Sequence, residues 1–280
     1  MSVAIVICTR NRSDELRACL EAIAASTVAP AQVIVSDDGD GADAVCRAAP
    51  LPVTYVSGPR RGLAANRNRA LREVSAEYAS FLDDDCLLAP DFLAIALGAL
   101  ERAERVHGRG KVIISGSELN RGNVLWAHDQ TFLGFQAVPY PPGALLNTIC
   151  INAALMPRAL FDRVPFDERL RYGYEESDIA TRAVAAGYAI VACHEARNEH
   201  RPSPASREDY HYYEEATRLY ATFKRYYWTE RRRGRAAAFA LIAPAHALAA
   251  GVKRRDAVVL SALRLAVGYA FDYRRELLSS

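Results

Sequence analysis

Three short polar runs stand where predicted β-strands end. They are residues 9–12 (Thr-Arg-Asn-Arg), 37–38 (Asp-Asp) and 83–85 (Asp-Asp-Asp). The carboxyl ends of parallel strands meet at one edge of a sheet, so these side chains are expected in one crevice. Clustered carboxylates repel one another and normally hold a divalent cation, whereas a guanidinium binds phosphate through two hydrogen bonds. The pattern therefore predicts a site for Mg²⁺ or Mn²⁺ together with a phosphorylated ligand.

Each acidic run also has a simpler structural interpretation. Three aspartates after a strand can form a polar turn that caps the next helix. Likewise, the pair at 37–38 can be an ordinary strand-to-helix turn. The apolar run before Asp83 and the presence of a second aspartate pair favour the metal site over a turn.

The elements that must position these runs alternate along the first 115 residues. Residues 3–8 form a continuous apolar run, which is typical of a strand buried on both faces. Further strands are predicted at 32–36, 52–56, 78–82 and 112–115, and helices at 14–25, 63–74 and 91–106. After an irregular stretch at 116–172, a helix is predicted at 175–186 and a strand at 188–193. This order predicts the α/β class, with a mostly parallel sheet flanked by helices.

Composition excludes several classes of protein. The chain is 51% hydrophobic and 24% charged, which excludes wholesale disorder. The net charge of +2 is too balanced for a dedicated nucleic-acid binder. Six scattered cysteines without CxxC spacing argue against a zinc site or a disulfide framework. With no secretory signal in the opening residues, the expected location is cytoplasmic.

Five motifs, in the right order, resemble those of the family 2 glycosyltransferases, which have the GT-A nucleotide-sugar-binding fold. The motifs are residues 6–12 (VICTRNR), 33–39 (VIVSDDG), 61–68 (RGLAANRN), 81–85 (FLDDD) and the acceptor-side stretch 166–182, which contains FDE and GYEESD. The resemblance covers residues 2–203. It implies a metal-dependent, inverting hexosyltransferase that uses a nucleoside-diphosphate sugar, with UDP or dTDP expected. The acceptor would be a hydroxyl of a glycan, lipid-linked or other molecule, as in cell-envelope polysaccharide synthesis.

The resemblance also implies roles for individual donor-side residues. Asp38 would contact the nucleotide base with Thr9 and Arg10 nearby, and Asp37 would support that pocket. Arg67 would approach the ribose or the diphosphate. The remaining donor-side residues are Asp83, facing the ribose, and Asp84, a helper to the metal.

Two metal ligands are implied, Asp85 and His200. Asp85 belongs to the DxD-type run and would bind Mn²⁺ or Mg²⁺ directly. His200 is expected past the strand 188–193, where the family often has a metal-coordinating histidine. The alternative is that His200, or His194, is simply a surface or loop histidine.

The catalytic base is expected in the pair Glu175 and Glu176. The family usually has Glu-Asp at these positions, so Glu176 is a departure that carries one more methylene. The resemblance implies that Glu176 takes the proton of the acceptor hydroxyl and that Glu175 contacts the acceptor, although the two roles could be exchanged. Asp178 and Arg182 lie four residues apart on the same helix and are expected to form an ion pair.

Two other classes of function stay open at the level of sequence. A nucleotidyltransferase-like enzyme or a phosphohydrolase also carries aspartates at strand ends. The first usually opens with a Gly-rich phosphate loop and a lysine, which are absent after residue 8. A non-catalytic sugar-nucleotide-binding or assembly subunit is favoured only by the glutamate at 176.

The charge balance shifts near residues 201–204. Residues 1–205 carry 21 basic and 25 acidic residues, whereas residues 206–280 carry 14 and 8. We therefore expect a GT-A domain at 1–203, with nucleotide-sugar binding at 1–115 and the acceptor side at 116–203. A C-terminal helical region at 204–280 is expected to contain helices at 208–227, 235–252 and 256–273.

The apolar run 236–252 lies between two arginine-rich runs and has two interpretations. Segment 231–277 could make a peripheral contact with an anionic membrane surface, at the inner face of the cell membrane. Alternatively, the run is a core helix or the interface of a homo-oligomer. Six tyrosines at 210–227 favour a helix that packs its aromatic face on the catalytic domain, and no nucleic-acid partner is expected.

Overall fold

The computed structural model describes residues 1–202, 211–254 and 258–279. The strands in these ranges are β1 (Val3–Thr9), β2 (Gln32–Asp37), β3 (Thr54–Ser57), β4 (Tyr78–Asp83), β5 (Cys86–Leu87), β6 (Val112–Asn120), β7 (Asn123–Trp126), β8 (Asp129–Gln130), β9 (Gln136–Val138), β10 (Ala154–Pro157) and β11 (Ala189–His200). The helices are α1 (Ser13–Ala24), α2 (Ala42–Arg47), α3 (Leu63–Leu71), α4 (Phe92–His107), α5 (Glu175–Ala185), α6 (His211–Lys224), α7 (Arg233–Arg254) and α8 (Val258–Ser279). A π-helical turn, Arg225–Thr229, follows α6.

The main sheet has the strand order β3-β2-β1-β4-β10-β6-β11-β5, and β7 pairs with β6. The first four strands are parallel, as the alternation of strands and helices predicts. β10 enters between β4 and β6 and is antiparallel to both. The α/β class and the helices on the sheet are therefore confirmed, while the antiparallel insertion was not predicted.

Both faces of the sheet carry hydrophobic cores. Every residue of β1 is buried, as the apolar run 3–8 predicts. Because successive side chains of a strand point to opposite faces, Ile5 and Ile7 pack with residues of α1, α2 and α4, whereas Val6 packs in the other core. That second core includes residues of α3, α5 and the C-terminal helices.

The C-terminal helices pack directly on the second core. Tyr220 of α6, Tyr226 of the π-helical turn, Phe239 of α7 and Tyr269 of α8 are all buried there. The tyrosine-rich segment thus packs an aromatic face on the sheet domain, as expected. Tyr210, the predicted boundary at 203/204 and the predicted starts of two helices at 208 and 256 lie outside the described residues.

Several predicted element boundaries differ from the structure. The strand predicted at 188–193 continues to His200, because after an irregularity β11 pairs again with β6, from Arg197 opposite Ser117 to His200 opposite Asn120. His200 therefore ends a strand and does not lie in a loop beyond one. The helix predicted at 63–74 ends at Leu71, and α2 was not predicted.

Candidate active site

The three polar runs meet at one edge of the sheet, as predicted. β1 lies between β2 and β4, with Thr9 opposite Asp37 and Cys8 opposite Asp83. A cavity of about 510 Å³ opens there. Its described lining includes these predicted site residues: Thr9, Arg10, Asp38, Asp83, Asp84, Asp85 and His200.

Asp84 is tied to the loop that follows β1. Its Oδ2 accepts a hydrogen bond of 2.7 Å from the Thr9 hydroxyl, and its Oδ1 lies 3.0 Å from Nη1 of Arg12. The same guanidinium nitrogen lies 3.1 Å from Oδ2 of Asp85. Burial raises the pKa of Asp84 to about 6. Asp84 therefore stabilises the loop, and Arg12, which received no individual role from the sequence, orients two of the three aspartates.

Asp83, Asp85 and His200 offer one ligand atom each within 4.8 Å of one another. Nε2 of His200 lies 3.2 Å from Oδ1 of Asp85, and its Nδ1 lies 2.9 Å from Oε2 of Glu118. Burial opposes the imidazolium, but the hydrogen bonds with Asp85 and Glu118 outweigh it and raise the pKa of His200 to about 10. Two carboxylates suit Mg²⁺ and Mn²⁺, and the imidazole favours a transition metal, so this donor set fits the implied cation.

Glu118 was missed by the sequence analysis, although one signal was available. On β6, Glu118 directly follows a run of apolar and small residues, 112–117, and its side chain is nevertheless buried. A buried carboxylate needs partners, and here they are His200 and the Cys150 thiol. His194, the other candidate histidine, is exposed and packs against Trp126.

The two aspartates after β2 have different surroundings. Asp37 is buried, and its Oδ1 accepts a hydrogen bond of 2.7 Å from the amide of Gly39, so that it stabilises the turn into α2. Asp38 faces the cavity, and its Oδ1 accepts a hydrogen bond of 2.7 Å from the amide of Arg60. A Cβ at Gly58 would lie 2.3 Å from that oxygen, so a larger residue there would displace the Asp38 carboxylate.

Arg67 is placed differently from the expectation. It was expected to approach the ribose or the diphosphate, but it is buried and is not among the described residues that line the cavity. Its Nη1 lies 2.9 Å from Oε1 of Glu175 and its Nη2 lies 3.1 Å from Oδ1 of Asp83. Two strong carboxylate partners hold the guanidinium between the cavity and α5. Arg67 therefore orients Asp83 and Glu175.

Glu175 and Glu176 begin α5, and neither is among the described residues that line the cavity. Glu175 is buried, is paired with Arg67, and keeps Oε2 without a hydrogen-bond partner among the described residues. Glu176 is half-buried, and its Oε1 accepts a hydrogen bond of 3.2 Å from Nε2 of Gln136. Burial, with the neighbouring charge of Glu175, raises the pKa of Glu176 to about 8. Gln136 lies on β9, and no sequence signal marked it.

Asp178 and Arg182 form the expected ion pair, 2.6 Å apart. The structure adds a partner that the sequence did not indicate. Nζ of Lys224, at the end of α6, lies 2.8 Å from Oδ1 of Asp178 and 2.6 Å from Oδ2 of Asp167. All three side chains are buried.

The family model described as glycosyl transferase family 2 matches residues 4–161. Over 186 residues the chain is 26% identical to the uncharacterized glycosyltransferase YwdF of Bacillus subtilis (strain 168). This match covers 65% of this chain and 68% of YwdF. It is also 26% identical over 96 residues to the glycosyltransferase GlyA of Streptococcus pneumoniae serotype 4. That match covers 32% of this chain and only 14% of GlyA.

Two solved structures share the fold. GalNAc-T7, solved with UDP, GalNAc and Mn²⁺, superposes with a TM-score of 0.61 at 14% identity. The superposition covers 73% of this chain and 44% of the GalNAc-T7 chain, so this chain spans less than half of that relative. Residues 1–349 of S. aureus TarS, in complex with UDP, superpose with a TM-score of 0.56 at 15% identity, over 82% of this chain and 67% of that one. At such identities the likeness shows the fold alone.

The sheet, its flanking helices and the site at the strand ends therefore agree with the motif resemblance. The matched region, residues 4–161, is more than half of the 280 residues. The chain belongs to glycosyl transferase family 2 and is a glycosyltransferase with a GT-A-type fold.

Proposed function

We propose that this glycosyltransferase moves a sugar from a nucleoside-diphosphate sugar to an acceptor hydroxyl, in an inverting reaction that depends on a divalent cation. The observation that carries the proposal is the cluster of Asp83, Asp85 and His200, which lines the same cavity as Thr9 and Asp38. A cation ligand set beside polar groups suited to a nucleoside is the arrangement that a nucleoside-diphosphate sugar requires.

UDP is the nucleotide best supported, with dTDP as the second candidate. Both solved neighbours were crystallised with UDP, and one of them also with Mn²⁺. Within this chain, Asp38, Thr9 and Arg10 are proposed to contact the nucleotide base, because all three line the cavity. Asp37 would support that pocket through its turn with Gly39.

The cation would be held by Asp85 and His200, with Asp83 as the third ligand or as the ribose contact. When bound, Mn²⁺ or Mg²⁺ neutralises the charge that develops on the leaving nucleoside diphosphate. Asp84 is proposed to act indirectly, by fixing Thr9 and Arg12. Glu118 would fix the orientation of His200 by accepting a hydrogen bond from Nδ1.

Glu176 is proposed as the general base. Its raised pKa, about 8, lies close to the operating pH, where a base works best. It is only half-buried, and Gln136 donates to one of its oxygens, which orients the carboxylate. Glu175 suits the role less well, because Arg67 occupies one oxygen and both oxygens are shielded from solvent. Glu175 would instead hold Arg67 in place beside Asp83.

The acceptor is proposed to be a glycan or a lipid-linked molecule, as in the synthesis of cell-envelope polysaccharides. A cytoplasmic location is supported by the six cysteines, all of which are unpaired. The inner face of the cell membrane would bring the protein close to lipid-linked acceptors.

Thermal unfolding with UDP, dTDP and GDP, each with and without Mn²⁺, tests the donor site. At a ligand concentration a hundredfold above Kd, binding adds about 2.7 kcal/mol to the free energy of unfolding. We expect UDP with Mn²⁺ to raise Tm most in the wild type, and the metal-dependent part of the shift to vanish in Asp85→Asn. A wild-type shift without release of UDP from any UDP-sugar would favour a non-catalytic binding subunit. No shift with any of the three nucleotides would contradict the proposed donor site.

A further inference from the structure

The outward sides of α7 and α8 carry stripes of exposed apolar residues. On α7 the stripe is Leu241, Ala245, Leu248 and Val252, spaced as one face of a helix; Leu241 is 78% exposed and Val252 is 81% exposed. On α8 a second stripe contains Leu260, Val267, Phe271 and Leu278. We call these two stripes together the apolar face. Among the described residues nothing covers the apolar face. Contiguous exposed apolar surface normally marks an interaction site.

The opposite side of α7 is packed along its length. Ala236, Phe239, Ala243 and Ala247 recur at helical spacing and are all buried. Among the described residues, the segment Arg233–Lys253 is long and apolar enough to cross a membrane, which the 17-residue run 236–252 alone did not indicate. A helix with one side fixed to a folded domain lies along a surface, however, and does not cross it. Only 28% of its apolar window is buried, so most of the helix is free for such a contact.

The surroundings of the apolar face are strongly basic. Residues 231–278 contain ten arginines and lysines and three acidic residues, Asp256, Asp272 and Glu276. Six of the ten lie in the sequence runs 231–233 and 253–255, and Arg264 lies in the α8 stripe between Leu260 and Val267. An apolar stripe in a segment where basic residues outnumber acidic ones by ten to three matches the acyl and phosphate layers of an anionic membrane. A second copy of this face would instead bring like charges together.

We propose that the apolar face docks in the plane of an anionic lipid surface. The inference goes beyond the proposed reaction and does not depend on it. Docking would also place the active site relative to the membrane. The ring centroids of His246 on α7 and Phe135 lie 6.1 Å apart. The next residue, Gln136, donates a hydrogen bond to Glu176. Docking through α7 therefore brings the acceptor side close to the lipid surface.

Flotation of the full chain with vesicles tests the proposal. The vesicles are phosphatidylcholine alone, or phosphatidylcholine with about 30% phosphatidylglycerol. We expect the wild type to float with the anionic vesicles and to stay in the soluble fraction with the neutral ones. The double variant Leu241→Gln/Val252→Gln should lower the bound fraction about tenfold or more, because it removes the two most exposed apolar side chains of the stripe. High salt should weaken the wild-type binding, because the basic ends are screened.

Matched controls separate docking from folding. Val106 at the end of α4 is 76% exposed and lies outside the apolar face, as does Leu125 on β7. The variant Val106→Gln/Leu125→Gln should therefore float like the wild type, and both double variants should melt at the wild-type temperature. Equal binding to neutral and anionic vesicles, or equal flotation of the two double variants, would overturn the proposal. It would also be overturned by a wild-type dimer that becomes a monomer on Leu241→Gln/Val252→Gln and that binds no vesicles, since a second copy would then cover the face.

Discussion

Two neighbouring glutamates at the start of α5 differ more in their surroundings than in their chemistry. Glu175 is buried against a guanidinium, whereas Glu176 is half-buried beside an amide donor and a like charge. Burial raises the pKa of Glu175 although Arg67 opposes the rise, and the ion pair with Arg67 holds this carboxylate in one place. A carboxylate that burial and a like charge make more basic is suited to exchanging a proton. The surroundings therefore separate two positions that the sequence left interchangeable.

Replacing Glu176 with Gln should lower kcat about 10²-fold or more, because the amide cannot accept the proton of the acceptor hydroxyl. The nucleotide-dependent rise in Tm should persist, since Glu176 is not among the described residues of the cavity. Steady-state kinetics and thermal unfolding of the same preparation measure both quantities. Transfer at the wild-type rate would show that Glu176 is not the base, and Glu175→Gln would be the next variant to measure.

The pH dependence of kcat/KM should carry the signature of the same group. The pKa of Glu176 is raised to about 8, and a base acts only when deprotonated. We therefore expect kcat/KM to fall as the pH drops below about 8, by about tenfold per pH unit at the limit. The residual activity of Glu176→Gln should lack this limb. If kcat/KM of Glu176→Gln fell below about pH 8 as in the wild type, the titrating group would be another residue.

Replacing Glu118 with Gln should weaken Mn²⁺ binding by about 10- to 100-fold. The carboxylate accepts from one nitrogen of His200, which turns the other nitrogen towards Asp85. This affinity can be measured without turnover, either from the dependence of Tm on Mn²⁺ concentration or from the loss of the electron paramagnetic resonance signal of free Mn²⁺. Glu199→Gln is the matched control, since Glu199 precedes His200 but pairs with Arg201 at the surface. Equal affinities in the two variants would contradict the positioning role.

At the scale of the elements, α6 is joined to α5 through a buried ionic contact. Lys224 ends α6 and bridges Asp178 on α5 to Asp167 in the preceding segment. Burial alone would raise the pKa of Asp167, but Lys224 outweighs it and keeps that pKa low. Since Asp178 lies two residues after Glu176 on the same helix, α6 helps to fix the helix that carries the proposed base.

Replacing Lys224 with Met should destabilise the protein by about 3 kcal/mol, because two buried carboxylates lose a shared cation. This loss of unfolding free energy is at the low end for buried ion pairs. The reason is that Asp167 remains paired with Arg169 and Asp178 remains paired with Arg182. Urea unfolding measures the change. Lys253→Met, at an exposed position on α7, is the control and should stay within about 0.5 kcal/mol of the wild type. Equal stabilities of the two variants would show that the bridge is not stabilising.

The sequence predicted those elements whose signal is local. β1, β2 and β4 are apolar runs followed by polar residues, so both the strands and the meeting of their ends could be predicted. β10 and the second half of β11 carry no such pattern, because their partners lie far away in the chain. The site divides in the same way. Residues in family-like motifs could be proposed from the sequence, whereas Glu118 and Gln136 become significant only through contacts with His200 and Glu176.

Arg67 shows a limit of assigning roles by motif. The sequence predicted a helix around Arg67, and the structure has α3 there. It could not reveal that the half-buried Asp83 of β4 and the buried Glu175 of α5 both pair with the guanidinium, which is not among the described residues that line the cavity.

At the scale of the whole molecule, the C-terminal helices are part of the core. Phe239 and Tyr269 are buried in the same cluster as Val6 of the central strand β1. Removing α7 and α8 would expose the surface that these residues cover, so the helices cannot be treated as a detachable membrane anchor.

A chain that ends at residue 230 should therefore be poorly soluble or melt at a markedly lower temperature than the full chain. The reason is the exposure of Tyr220 and Tyr226, which pack against α7 and α8. The soluble yield and thermal unfolding measure the effect. A chain that ends at residue 277 is the control, since Leu278 is 78% exposed and its removal should leave Tm unchanged. A stable, soluble chain ending at 230 would show that the helical region folds separately from the rest.

The place of β10 in the sheet has a consequence for the order of assembly. β3, β2, β1 and β4 come from the first 83 residues and are joined by short crossovers, so this block can form early. β10 follows β6 in the chain yet lies between β4 and β6. During synthesis the open edge of β4 must wait for residues 154–157, and only their arrival connects the two halves of the sheet. Until then β4 is an edge strand whose unpaired backbone N–H and C=O groups can pair with another chain.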